Sequence, residues 1–179
     1  MTRRIFCLLL AGICLLGLLS ACDGQEESPS TTAPAPSSTA EDPAAELMSG
    51  EHFAIEKATG WERGGGENKV QQKDSTAQMD VVVLSSYEPD PVAYLQKFHD
   101  TYRDSGLGKN LTEVETVSIG GIGAARFQFE DTVSQEGTVK AIYCLNQNEK
   151  TYLVTCWAIG QEDFEAADFP ALIEQIQFK

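Results

Sequence analysis

Positive charge is in short supply in this sequence. Its 179 residues hold 13 Lys and Arg against 27 Asp and Glu, a formal net charge of −14 at pH 7. Arg3 and Arg4 stand in an apolar leader, so the chain beyond the leader is more acidic still. A surface of this sign repels phosphate backbones, which excludes nucleic-acid binding through a basic patch. Histidine is scarce as well, with His52 and His99 alone. Either one could serve a metal or act as a general base, but isolated histidines are more often plain surface residues. No His-x-x-x-His or Cys-x-x-Cys spacing occurs, so there is no zinc signature, and neither a metal nor a cofactor is expected. No Gly-x-Ser-x-Gly elbow gives a serine the context of a nucleophile. The chain is accordingly read as no enzyme, with no catalytic residue. Long apolar runs are also few. The one that stands out, Ile5 to Leu19, covers roughly 15 residues, short of the roughly 20 that a spanning helix needs.

That run explains itself at its end. Thr2-Arg3-Arg4 forms a short basic start, and the run closes on Leu19-Ser20-Ala21-Cys22. These four residues resemble the bacterial lipobox. The resemblance implies cleavage of a signal peptide over residues 1–21 and acylation of Cys22, whose thiol takes the diacylglyceryl group. Two or more acyl chains hold a protein stably on a membrane where one does not. Thr2-Arg3-Arg4-Ile5-Phe6 also resembles a twin-arginine export motif, and export by that route or by the general secretory route stays open. Asp23 resembles an inner-membrane retention mark of bacteria with two membranes.

Residues 22–45 continue from Cys22 as Ser, Thr, Ala, Pro, Glu, Gln and Asp with a single Gly24, without an aromatic or branched aliphatic side chain. Such a segment buries too little apolar surface to offset its ordering entropy, so a disordered tether is expected. Composition changes near Glu46, and residues 46–179 read as one globular domain. Phe53 to Ile55 and Gln78 to Ser86 read as strands, the second buried on both faces around Val81-Val82-Val83-Leu84. Asp90-Pro91 opens a helix with a capping side chain and a proline at its first position. Val92, Leu95, Phe98 and Tyr102 give that helix an apolar stripe, and Gly106 stops it. Four strands come next, over Thr112–Ile119, Ala124–Asp131, Gly137–Leu145 and Thr151–Ile159, with turns at Gly120-Gly121 and Asn146-Gln147-Asn148. A second helix is expected around Asp168 to Gln175. The order implies an α+β fold, an antiparallel sheet with helices packed on it.

Several of these residues stand at positions familiar from one family. Phe53-Ala54-Ile55 followed by Gly60-Trp61, a mid-chain helix before a meander that turns at Ile119-Gly120-Gly121, and a terminal Ile176-Gln177-Phe178 together resemble the PsbP-like proteins. Ala58-Thr59 stand where that family usually has a proline before Gly-Trp. The resemblance covers about Phe53 to Phe178. It implies an α/β/α sandwich around an antiparallel sheet, and a binding or assembly role in place of catalysis.

Cys144 and Cys156 are the cysteines left beyond Cys22, in an exported domain where a disulfide is permitted. They stand on successive strands. A hairpin register that pairs residues of equal parity puts both on one face, within reach of a bridge; a register shifted by one puts them on opposite faces. Gly120 to Ala125 has the look of a dinucleotide loop but leads into a strand, so it reads as a turn. Glu113/Glu115 and Glu130-Asp131 read as solvated strand faces and not as a calcium loop. Tyr143, Tyr152, Trp157, Phe127 and Phe129 read as sheet core, although they could line a ligand groove. The expected whole is a lipoprotein on the extracytoplasmic side of the cell membrane, binding or assembling an envelope protein. The alternative is an extracytoplasmic small-molecule or ion-binding module, which requires a pocket of roughly 300 Å³.

Overall fold

A computed structural model of the chain describes residues 46–179. The expected signal peptide, the acylated Cys22 and the tether lie outside those residues. Along the chain run β1 (Met48–Ser49), β2 (Phe53–Ile55), β3 (Trp61–Arg63), β4 (Lys69–Gln72), β5 (Gln78–Val83), α1 (Pro91–Ser105), β6 (Gly108–Lys109) and β7 (Glu115–Ile119). Then come β8 (Ile122–Asp131), β9 (Thr138–Gln147), β10 (Lys150–Ile159), α2 (Gln161–Ala166), α3 (Phe169–Ile173) and β11 (Gln177–Phe178). Among the described residues no helix is long and apolar enough to cross a membrane.

The strands build an antiparallel sheet in the order β3-β4-β5-β10-β9-β8-β6, with β7 also paired to β8. Helices pack on both faces, so the fold is α+β as the element order implies. One face carries α1. The other carries α2, α3 and a second, three-stranded sheet, β1-β2-β11, of which the sequence pattern announces β2 alone. Its strands are only two or three residues long, too short to show a period.

Two tight turns set the registers. Gly120 and Gly121, with φ of 57° and 84°, join β7 to β8. Asn148 and Glu149, with φ of 49° and 58°, join β9 to β10. Positive φ at both central residues is the type I′ geometry, whose twist matches that of the flanking strands. The β9–β10 turn lies later than Asn146-Gln147-Asn148, because Asn146 and Gln147 stay in the ladder opposite Thr151 and Lys150.

α1 begins and ends as its sequence predicts. The Asp90 carboxylate accepts from the Ala93 N–H at 2.9 Å, and Gly106 closes the helix at φ 69°. Its buried stripe differs at two positions. Val92 faces out, while His99, read as a surface residue, is 5% exposed and meets the Phe127 ring edge-on at 5.5 Å. α1 packs Leu95, Tyr94, Phe98 and Tyr102 on Phe127, Phe129, Ile142 and Cys144. The expected terminal helix is shorter and is preceded by another. Asp168 adopts φ 46° and Pro170 stands two residues on, which breaks the chain into α2 and α3. Phe164, Phe169, Leu172 and Ile173 of these helices enter the larger core with Trp61, Met79, Val81, Tyr152 and Val154.

Candidate functional site

α1 packs mainly on β6, β8 and β9, with Leu153 of β10 at its margin, and among the described residues the outward side chains of β4 and β5 lie beyond it. Strand alternation decides which side chains stand there. On β5, Met79 and Val81 point to the larger core, so Gln78, Asp80 and Val82 point to the open side. On β10, Tyr152, Val154 and Cys156 point to the core, so Leu153, Thr155 and Trp157 point out. The expectation that β5 is buried on both faces is therefore corrected: Val82 is 49% exposed, because α1 does not extend over it.

Register arranges these residues in rows across the strands. Glu62, Gln71, Gln78, Trp157 and Lys140 form one row, the last running on to Phe129 beneath α1. Lys69, Asp80, Thr155 and Ile142 form the next. Val82, Leu153 and Cys144 form the third. The open half is thus apolar at one end and polar in the middle; the other end is aromatic, with Lys140 in its row, Lys69 reaching over from the next and the Glu62 carboxylate at the edge.

Its charges are held in specific ways. The Lys69 ammonium lies 4.9 Å from the centre of the Trp157 ring, within cation–π range. Lys140 pairs with Asp131 and donates to the Ser134 hydroxyl at 3.2 Å. Burial works against the Asp131 charge, but Lys140, the Ser134 hydroxyl and the Val133 N–H more than offset it, and the carboxyl is pulled down to about 2. Asp80 is in the opposite position. Burial pushes its carboxyl up, against the pull of Thr155, Lys69 and Lys140. Its Oδ1 is shut away from solvent and has no hydrogen-bond partner among the described residues. At the apolar end the loop after β5 is pinned down: Glu88 N–H donates to Thr151 Oγ1 at 2.8 Å, and Asn146 Nδ2 donates to the Glu88 carbonyl at 2.8 Å. The same loop leaves Tyr87 53% exposed.

The other candidates fall elsewhere. Cys144 stands opposite Leu153 and Cys156 opposite Ala141, which is the register shifted by one. The two thiols are free, buried, and on opposite faces, so the disulfide that equal parity would allow does not form. Burial raises both thiols, Cys144 to about 12, which removes thiolate chemistry from them. His52 lies in the β1–β2 loop and His99 on α1, on opposite sides of the large sheet. Glu115 is taken by Arg126 at 3.0 Å, and Glu130 accepts from Asn110 at 2.8 Å. Among the described residues no three His, Cys, Asp or Glu side chains converge as a metal site would require. Tyr143, Tyr152, Phe127 and Phe129 are core, as read from the sequence. Trp157 is the exception, half-buried on the open face. A recess between the β7–β8 turn, α3 and β11, lined by Ile119, Ile122, Leu145, Ile173 and Phe178 with Glu174 at its side, holds about 40 Å³. That is room for a water molecule or a methyl group, far below the roughly 300 Å³ of an ordinary ligand pocket.

No family model matches the chain. No curated protein matches it either. Among solved structures it is similar to the solution structure of cyanobacterial PsbP (CyanoP) from Synechocystis sp. PCC 6803, at 10% identity and a TM-score of 0.47, over 72% of this chain and 87% of that one. The resemblance expected from element order thus has a structural neighbour of that name. At this distance the likeness carries no functional weight, and what the chain does rests on its own residues.

The residues missed from sequence are Lys69, Gln78, Asp80 and Lys140. The signal for two of them is present in Gln78-Met79-Asp80-Val81, which alternates polar and apolar. The Val-Val-Val-Leu run beyond it suggests burial on both sides and masks that signal.

Proposed function

We propose that this chain is a non-enzymatic, lipid-anchored binding module of the bacterial envelope, acylated at Cys22, which holds an envelope protein on the open half of its large sheet. The observation that carries the reading is that open half. Its surface combines an apolar end at Val82 and Leu153 with Trp157 flanked by Lys69 and Lys140. An aromatic anchor amid adaptable polar groups is the composition of a protein-binding centre. The lipobox-like Leu19-Ser20-Ala21-Cys22 supports the anchor and the compartment. The raised thiols and the separation of the two histidines support a binding role over a catalytic one.

The test is a crosslinking pull-down from intact cells with three proteins: the acylated chain, Cys22→Ala, and Trp157→Ala. One dominant partner, lost in both variants, supports the anchor and the face together. A partner retained by Trp157→Ala moves the docking surface elsewhere, and repeated recovery of the bait alone overturns the binding role.

A further inference from the structure

On the open half Glu62, at the β3 edge, is exposed and accepts from Gln71 Nε2 at 2.7 Å, while one other carboxylate keeps a covered oxygen without a donor among the described residues. Lys140 is matched by Asp131. Lys69 stands directly across from Asp80, and Thr155 stands directly across on the other side. Asp80 Oδ1 is covered and meets no donor among the described residues. A carboxylate with one oxygen covered and unpaired is costly to keep charged, and taking a proton relieves that cost. The charged groups on its face are Lys69 from β4, Lys140 from β9 and, one row away at the edge, Glu62 from β3; the Cys156 thiol of β10 lies on the other face of the sheet. Lys69 also reaches the Trp157 ring, so the state of Asp80 and the setting of Trp157 share one side chain.

We infer that Asp80 is a proton-operated charge switch for the open half, acting through Lys69 on Trp157. As a carboxylate, Asp80 balances the Lys69 ammonium. On taking a proton from solvent it becomes a neutral acid, no covalent bond to carbon changes, and the face gains one unbalanced positive charge over Trp157. Acidification then strengthens docking of an anionic partner surface and weakens that of a cationic one. The coupling to docking rests on the binding reading given above; the switch itself does not.

The test is an NMR titration of the full chain from pH 8 to pH 3, following the Asp80 carboxyl carbon and the Trp157 indole N–H together. Asp131, held down to about 2, stays largely ionised over this range. The expected result is one shared midpoint for both signals, above that of an ordinary aspartate at roughly 3.9. Asp80→Asn flattens the Trp157 curve. Thr155→Val removes a donor that favours the carboxylate, and it moves the midpoint higher. A Trp157 signal that stays flat while Asp80 titrates, or that still moves in Asp80→Asn, overturns the switch. A failed pull-down beside a successful titration sinks the docking reading alone.

Discussion

Cys144 and Cys156 sit on adjacent strands of one hairpin with their thiols on opposite faces of the sheet, Cys144 against α1 and Cys156 in the larger core. No rotation of side chains brings them together, because the register fixes the face. The native protein is therefore expected to keep the same melting temperature with and without reductant. Thiol reagents should label neither cysteine until the chain is unfolded. Rapid labelling of the native protein, or a reductant-sensitive melting point, would contradict this arrangement.

The Asp131–Lys140 pair gives the protein an acid limit. Asp131 is lower in the folded state than in the unfolded chain, at about 2 against an ordinary 3.8. Its contribution to stability is therefore complete above about pH 4 and is lost as pH falls toward 2. Its side chain is 5% exposed, so solvent screening is slight, and the contribution is on the order of 2 kcal/mol. Denaturant titrations of Asp131→Asn should show about that deficit at pH 7 and almost none at pH 2. An equal deficit at both values would assign the loss to packing alone.

Asp80 should act with the opposite sign. Its folded value is raised, so its stabilising share is present at low pH and is lost as pH rises through that raised value. Asp80→Asn is expected to melt higher than the parent at pH 7, and the gain should shrink toward pH 3. A variant that melts lower at pH 7 would show that the carboxylate is better satisfied than its covered Oδ1 indicates.

Leu95 is fully buried between α1 and the Phe127–Phe129 floor. Truncating it removes the contact that seats the helix. Leu95→Ala should cost about 2–5 kcal/mol in a denaturant titration. Val82→Ser, on the uncovered side of the same sheet, should change stability by about 0.5 kcal/mol or less. A comparable loss at both positions would mean that the open half is covered in solution.

Much of this architecture is legible in the sequence alone. The caps of α1 lie where Asp90, Pro91 and Gly106 put them, since those residues carry their own backbone preferences. The four-strand meander is legible too, because runs rich in β-branched, aromatic and apolar residues are separated by turn residues at Gly120-Gly121 and around Asn148. The small sheet is not, since Met48–Ser49 and Gln177–Phe178 are too short to show a period. The open half is hidden for another reason. It depends on β5 lying beside β10 and on α1 reaching no further than Leu153 of β10, and neither the strand order nor the reach of a helix is written in local pattern. The cysteine register turns on a displacement of the turn to Asn148-Glu149, where a non-glycine residue, Glu149, takes a positive φ that composition does not advertise.

The pairing of β5 with β10 also sets the order of events in folding. β7 through β10 join sequence neighbours through short connections and can assemble early. β3, β4 and β5 form a second local meander. The two are joined only when Val81 meets Val154 and, in the small sheet, when Phe53 meets Phe178. Each of those meetings closes a long loop, whose entropy must be met before any contact rewards it. A growing chain that has not yet reached β10 thus lacks the strand that knits its two halves, and the small sheet waits further, for β11.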